Sequence, residues 1–169
     1  MDKVDVCWQK EEYDNLDYNT IFAYGTKPFA LYTQDIFKQI ICVDAYHLQK
    51  LMPGFVDKVI KQLDHKVTAP AINRRLPGCV LPPHRDEYKK FSESYNVKDT
   101  DDITRYLVFL EDSVPGQMIQ IESHTYTHWK SGDCVSWTGS TQHGALNMSY
   151  QDRYILQLTC FDKTYIHVI

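Results

Sequence analysis

The sequence predicts a mainly β fold, a sandwich or jelly roll with helices packed outside. Many of its aromatic residues, which include 12 tyrosines, stand in short alternating runs between glycine, proline, asparagine and aspartate. After Ala69-Pro70, strand-like segments follow one another up to residue 161, with turn residues such as Pro77-Gly78 and Gly132-Asp133 between them. The only convincing helical pattern precedes these segments, at residues 36–65.

The N-terminal part carries two extended candidates, residues 21–24 and 29–32, before the helical pattern begins. Within that pattern, apolar residues at helical spacing form one face: Phe55, Val56, Val59, Ile60 and Leu63. Pro53-Gly54 should separate this helix from a preceding helical segment at residues 44–52, because proline interrupts helices.

The later part of the chain predicts a series of strands. We expect them near residues 71–76, 79–83, 103–110, 117–121, 126–130, 133–137, 143–147 and 152–161, with a last one at 164–168. Residues 87–102 form a polar segment without periodicity, and such long segments are usually functional lids or disordered. We therefore expect one domain over residues 1–169, in which residues 1–70 support a core formed by residues 71–169.

Composition narrows the possible classes of function. Hydrophobic residues make up 43% and charged residues 24% of the chain, which excludes a wholly disordered or collagenous protein. The net charge of −4 argues weakly against binding to nucleic acid, although it does not exclude a local basic groove. No apolar run approaches the roughly 20 residues of a membrane helix, and the first residues lack a signal-peptide pattern. A cytoplasmic protein without a membrane segment is expected.

The cysteines predict buried thiols and not a bonded framework. Their number is odd, and no two of them have the spacing of a Cys-x-x-Cys motif: they are Cys7, Cys42, Cys79, Cys134 and Cys160. A disulfide framework or a thiolate zinc site is therefore not expected.

A candidate metal site begins with His84 and Asp86, which stand two positions apart. On an extended strand these side chains share a face, so both can reach one ion. With a second histidine they would form the ligand set of non-haem Fe(II) oxygenases. The candidates for that histidine are His124, His128, His143 and His167.

Arg153 follows His143 by ten residues, beyond a turn at residues 148–152. A hairpin of this length places Arg153 on the neighbouring strand, deep in the same cavity, where a guanidinium suits a bidentate carboxylate partner. Strand alternation puts Arg153, Ile155 and Gln157 on one face, which should line the interior.

These motifs resemble the Fe(II)/2-oxoglutarate dioxygenases, and more closely the aspartyl/asparaginyl β-hydroxylase-like branch that includes free-proline hydroxylases. The similarity covers residues 72–161. It consists of the Pro-Gly and Pro-His pattern at residues 75–84, the Trp-x-x-Gly-Asp turn at 129–133, and the His-x-x-x-Asn and Asp-Arg-Tyr pattern within 143–154. The resemblance implies a double-stranded β-helix in which His84, Asp86 and His143 hold Fe(II), while Arg153 binds 2-oxoglutarate.

Two departures from the family pattern bear on the site. The eukaryotic aspartyl/asparaginyl hydroxylases have glycine where this chain has Asp86, so the chain is more similar to relatives with all three ligands. The branch also often carries Arg-x-His on the next strand, where this chain has Arg105-Tyr106-Leu107. The resemblance implies that Arg105 contacts 2-oxoglutarate, but whether Arg105 or Tyr106 points inward stays open.

The implied reaction is hydroxylation of an unactivated C–H bond of an amino acid or a peptidyl side chain, with O₂ consumed and succinate and CO₂ released. One of the adjacent residues Arg74 and Arg75 should face the cavity, where it could bind a substrate carboxylate. The alternatives are a cupin-type metal-binding protein, whose usual His-x-His pair is absent here, and a non-catalytic binding module on the same fold. The sequence does not predict an oligomeric state.

Overall fold

The chain folds as a jelly roll, also called a double-stranded β-helix. The computed structural model describes residues 1–22, 30, 32, 34, 37–47, 51–65 and 67–162. Its N-terminal elements are β1 (Asp2–Lys3), β2 (Asn19–Phe22), α1 (Phe37–Ile40), β3 (Cys42–His47), α2 (Gly54–Leu63), β4 (Val67–Arg75) and β5 (Cys79–His84). They are followed by α3 (Lys89–Tyr95), β6 (Ile103–Phe109), β7 (Gln117–Ile121), β8 (His124–Tyr126), β9 (Asp133–Thr138), β10 (His143–Asn147) and β11 (Arg153–Phe161). Lys10–Glu12 and Thr100–Asp102 form short 3₁₀ helices.

The strands form two antiparallel sheets. The larger sheet has the order β1-β9-β6-β11-β4-β3-β2, and the smaller sheet has the order β5-β10-β7-β8. From β4 to β11 the chain passes repeatedly from one sheet to the other, which is the topology of a jelly roll. This confirms the mainly β fold predicted from the sequence.

The larger sheet is covered on both faces. On its outer face, Ile72, Leu156 and Leu158 pack against Phe55 and Val59 of α2. Its inner face looks towards the smaller sheet. There the shared apolar cluster contains Leu107, Phe109, Ile119, Ile121, Trp129, Val135, Trp137 and Ile155. The helix predicted from the apolar face at residues 55–63 is therefore present, and it lies outside the sheets as expected.

Residues near the N-terminus cover the same outer face. The Trp8 ring packs on Phe55, and its indole N–H donates to the carbonyl oxygen of Leu110 across 2.9 Å. Tyr13 is almost fully buried between Phe55 and Tyr154. The predicted division at residue 70 falls inside β4. The strands β2 and β3, which precede it in the chain, belong to the same sheet as β4.

Most predicted strands are present to within a few residues, but four expectations were wrong. The hairpin expected to place Arg153 on the strand next to that of His143 is not formed, because β10 lies in the smaller sheet and β11 in the larger one. The helix expected at residues 44–52 is not formed at residues 42–47, which are β3, because pairing with β4 outweighs a weak local pattern. Residues 127–130 lie outside β8, which ends at Tyr126. Residues 87–102 are not without secondary structure, since they contain α3. Residues 23–24, 29, 31, 48–50 and 164–168, and with them His167, lie outside the described part of the chain.

The helices of the described segments are short. None of them combines the length and the apolar character that crossing a membrane requires. The longest is α2, with 10 residues. The cytoplasmic location stays a prediction.

Candidate metal site and cavity

A cavity of about 180 Å³ lies between the two sheets. The five residues that the family resemblance implies for metal or cosubstrate binding line it: His84, Asp86, Arg105, His143 and Arg153. The remaining wall is largely apolar and comes from both sheets. The structure therefore brings these five residues together around one cavity.

His84, Asp86 and His143 form a cluster with the geometry of a metal site. His84 ends β5 and His143 begins β10, and the two residues are direct partners in the strand ladder. Asp86 follows just beyond the end of β5, with Oδ1 3.5 Å from Nε2 of His84 and Oδ2 3.7 Å from Nε2 of His143. One potential ligand atom from each residue lies within 4.8 Å of the other two. The arrangement could hold a single cation.

Backbone contacts fix the orientation of both imidazoles. Nδ1 of His84 donates to the carbonyl oxygen of Pro82 across 3.0 Å, and Nδ1 of His143 donates to that of Thr141 across 3.0 Å. Because a carbonyl oxygen can only accept, the proton of each neutral ring lies on Nδ1. Nε2 of each ring faces Asp86, and in the neutral ring it is the atom that carries the lone pair. This is the tautomer that a metal ligand requires.

The charge states of the cluster also suit a metal ligand set. Burial lowers the pKa of His143 to about 4, although the charge of Asp86 opposes the shift. Burial opposes ionisation of Asp86, but the His84 ring and the Arg105 guanidinium together hold the pKa of that carboxyl well below its usual range. At neutral pH the cluster thus offers a neutral His143 and an ionised carboxylate, as cation binding requires.

Arg105, and not Tyr106, points into the cavity. Its Nη2 donates to Oδ2 of Asp86 across 2.8 Å, and its Nη1 donates to the hydroxyl oxygen of Thr159 across 2.6 Å. Tyr106 lies on the opposite face of β6, where its hydroxyl is 2.9 Å from Nε2 of His65. Arg105 is therefore bonded to a nominated metal ligand, a contact that the sequence did not predict.

Arg153 is buried at the start of β11 and has no carboxylate partner among the described residues. It is 4% exposed, and its Nη1 donates to the carbonyl oxygens of Met118 and Leu146, each across 2.9 Å. Its Nε is buried and makes no hydrogen bond within the described part of the chain. Burial, reinforced by the nearby charge of Arg75, holds the pKa of Arg153 well below its usual value.

Arg75 is a second buried guanidinium beside Arg153. The two residues are direct partners across β4 and β11, and Arg75 is 5% exposed. Its Nη1 donates to the carbonyl oxygen of Cys42 across 3.0 Å, while its Nε has no hydrogen-bond partner among the residues that the structure describes. Burial lowers the pKa of Arg75 to about 10. Its neighbour Arg74 faces the other way, with Nη2 2.7 Å from Oδ2 of Asp44.

Sequence reasoning missed two side chains next to the cluster. Thr159 continues the inward alternation from Arg153 through Gln157, so the strand period could have identified it. No pattern in the sequence indicates that Tyr88 lies beside the cluster. It is buried at a φ of 50°, and the Arg105 guanidinium lies 5.0 Å from the centre of its ring. Among the other histidine candidates, His124 and His128 are exposed and outside the cluster.

Comparison with protein families identifies the chain. The family model for aspartyl/asparaginyl β-hydroxylase matches residues 6–163. The chain belongs to this family. The β-hydroxylase match begins well before residue 72, where the motif similarity starts, so the N-terminal elements are part of it as well. No curated protein sequence matches this family member.

Several solved structures are distantly similar to this β-hydroxylase family member. KdgF from a Halomonas species is 13% identical, with 72% of this chain and 82% of that chain covered and a TM-score of 0.43. A predicted oxalate decarboxylase from Thermotoga maritima is 13% identical, with 71% and 81% covered and a TM-score of 0.42. The cupin domain of Cnp3 from Schizosaccharomyces pombe is 10% identical, with 86% and 83% covered and a TM-score of 0.44.

Proposed function

We propose that this protein is an Fe(II)- and 2-oxoglutarate-dependent oxygenase that hydroxylates an unactivated C–H bond of an amino acid or a peptidyl side chain. The observation that carries the proposal is the placement of His84, Asp86 and His143 around one point of a cavity that also contains the buried, carboxylate-free Arg153. Membership of a hydroxylase family supports the reaction type.

The donor set fits Fe(II). Two imidazole nitrogens and one carboxylate oxygen occupy one side of an ion and leave positions open for other ligands. Both imidazoles are oriented by backbone carbonyls, so the ligand atoms are arranged before an ion binds. Oδ2 of Asp86 is engaged by Arg105, whereas Oδ1 faces His84. We therefore assign Oδ1 as the oxygen that would bind the ion.

The cavity also fits a dicarboxylate. Arg153 carries a buried positive charge whose described partners are only backbone carbonyls. A buried charge without a counter-charge is costly, and a carboxylate delivered by a ligand would remove that cost. The C5 carboxylate of 2-oxoglutarate could meet Arg153 while its other end reaches the metal cluster.

In this mechanism Fe(II) and 2-oxoglutarate together would supply the activation of O₂, which ends in substrate hydroxylation with release of succinate and CO₂. The two histidines and Asp86 hold the ion, and Arg105 fixes the orientation of Asp86 through its 2.8 Å contact. Arg153 aligns the cosubstrate from the other end. Apolar wall residues such as Leu107 and Ile119 keep water away from the reacting groups.

The deciding experiment is anaerobic addition of Fe(II) and 2-oxoglutarate. We expect a weak visible charge-transfer band in the wild type and its loss in His84→Ala and Asp86→Ala, with folding intact by circular dichroism. His128→Ala, an exposed histidine outside the cluster, is the matched control and should keep the band. If the wild type binds the metal but gives no band and no response to 2-oxoglutarate, the oxygenase proposal fails and a cupin-type metal protein is favoured.

A further inference from the structure

One charged group of the cavity has no role in the proposed function, and that group is Arg75. Asp86 is the partner of Arg105, and the C5 carboxylate would be the partner of Arg153. Arg75 lines the same cavity and contacts no carboxylate among the described residues. A third buried guanidinium in so small a space calls for a ligand that compensates its charge.

The register of the sheet places Arg75 and Arg153 side by side. Direct partners on antiparallel strands have Cβ atoms roughly 5 Å apart and point to the same face of the sheet. Their charges act on each other, since the charge of Arg75 contributes to the lowered pKa of Arg153. Two positive charges so placed repel each other. An anion bound between them would attract both guanidiniums and so offset this repulsion.

Both guanidiniums also leave the same edge unused. Arg75 donates from Nη1 to Cys42, and Arg153 donates from Nη1 to Met118 and Leu146, all to backbone oxygens. Among the described residues, Nε of both arginines is buried without a hydrogen-bond partner, and every hydrogen bond that the two guanidiniums make to these residues leaves from Nη1. The Nε–Nη2 edge is one of the two edges from which an arginine can donate two parallel hydrogen bonds to a carboxylate. A carboxylate has about four acceptor positions, enough for two such donors.

We propose that Arg75 and Arg153 together bind the distal carboxylate of the cosubstrate, each through its free Nε–Nη2 edge. The inference rests on the proposed function and adds to it a second binding residue on a different strand. Arg75 then determines the preference for a dicarboxylate over a 2-oxo acid of the same length without the second carboxylate.

The test compares two ligands on protein loaded with Mn(II), which does not support turnover. Calorimetry measures the dissociation constants of 2-oxoglutarate and of 2-oxopentanoate, which has the same five-carbon chain but no C5 carboxylate. We expect a strong preference for 2-oxoglutarate in the wild type, and a roughly ten- to hundredfold smaller preference in Arg75→Met. Arg153→Lys should also reduce it, because lysine lacks the bidentate fork.

A matched pair of variants separates a binding role from a general effect of changing β4. Arg75→Lys keeps the charge but loses the fork, and should lower the preference. Arg74→Lys makes the same change one residue earlier, on the opposite face of the sheet, and should leave it unchanged. Metal-free Arg75→Met should melt at a higher temperature than the wild type because a buried unpaired charge is removed, and it should gain less on addition of 2-oxoglutarate.

The outcomes distinguish a failure of the proposed function from a failure of the role of Arg75 alone. If the wild type shows no preference for 2-oxoglutarate, the proposed function fails and the inference fails with it. If the wild type and Arg153→Lys behave as expected but Arg75→Met and Arg75→Lys keep the full preference, only the role of Arg75 is overturned. If Arg75→Met does not fold, the comparison of Arg75→Lys with Arg74→Lys decides.

Discussion

Arg105 donates to Oδ2 of Asp86 across 2.8 Å, at the carboxylate that also faces Nε2 of both His84 and His143. The carboxylate of Asp86 thus contacts the Arg105 guanidinium on one side and faces the candidate metal position on the other. The contact holds Asp86 in place, but it also adds a positive charge close to a site for a positive ion.

Replacing Arg105 should therefore change metal binding. We expect Arg105→Gln to bind Mn(II) about three- to tenfold more tightly at neutral pH, because a nearby positive charge is removed. Calorimetric titration of metal-free protein measures this. Lys90→Gln removes an exposed positive charge from α3 and serves as the control. Weaker binding in Arg105→Gln would mean that orientation of Asp86 matters more than charge repulsion.

Gly144 lets β10 approach β5 next to the cluster. A Cβ at this position would lie 3.1 Å from both the carbonyl oxygen of Leu81 and the nitrogen of Pro83, which are backbone atoms. Gly144→Ala should push the strands apart and separate His143 from His84. We expect metal affinity to fall roughly ten- to hundredfold, the range usual for disturbed ligand orientation. Gly54→Ala, where the added Cβ has no neighbour within 4 Å, should bind the ion like the wild type.

The stability of the metal-free protein should depend on pH through His143. Burial lowers its pKa in the native state to about 4 from an ordinary value of 6.5, so between these values the unfolded chain takes up a proton that the native chain does not. Stability contributed by the neutral ring is present above pH 6.5 and is lost as the pH falls towards 4, by on the order of 3 kcal/mol. Urea denaturation across this range measures the loss. His143→Gln should show a shallower decline, and an equal slope in both proteins would refute the assignment.

Asn147 should be important for stability. Its fully buried amide donates to the carbonyl oxygens of Arg75 and Gln151, across 2.7 and 2.8 Å, and so joins the end of β4 to the turn before β11. We expect Asn147→Ala to lower the free energy of unfolding by about 2–4 kcal/mol, because two carbonyls lose their donor. Chemical denaturation measures this against Asn19→Ala, an exposed site that should change it little. A small effect at residue 147 would show that water replaces the amide.

The sequence predicted much of the candidate site because local spacing and strand alternation determine it. His84 and His143 stand at strand ends, and the inward face of β11 follows from its period of two. The choice between Arg74 and Arg75 could not be made, because adjacent strand residues face opposite ways and only the pairing with β11 selects one. The contact of Arg105 with Asp86 bridges a segment that includes α3, and no local pattern encodes it. The helix expected from residue 44 onwards is absent at residues 44–47 for the same reason, because pairing with β4 makes them part of β3.

The two ends of the cavity belong to different sheets. His84 and His143 stand on β5 and β10 of the smaller sheet, whereas Arg75 and Arg153 stand on β4 and β11 of the larger one. The span available to a ligand thus depends on how far the sheets are held apart by the apolar cluster that they share. In this cluster the rings of Phe109 and Trp129 stack with 4.3 Å between centroids. Selection among four-, five- and six-carbon 2-oxo diacids would then be a property of core packing. A smaller side chain at residue 129, outside the cavity lining, should shift that selection towards the shorter acid.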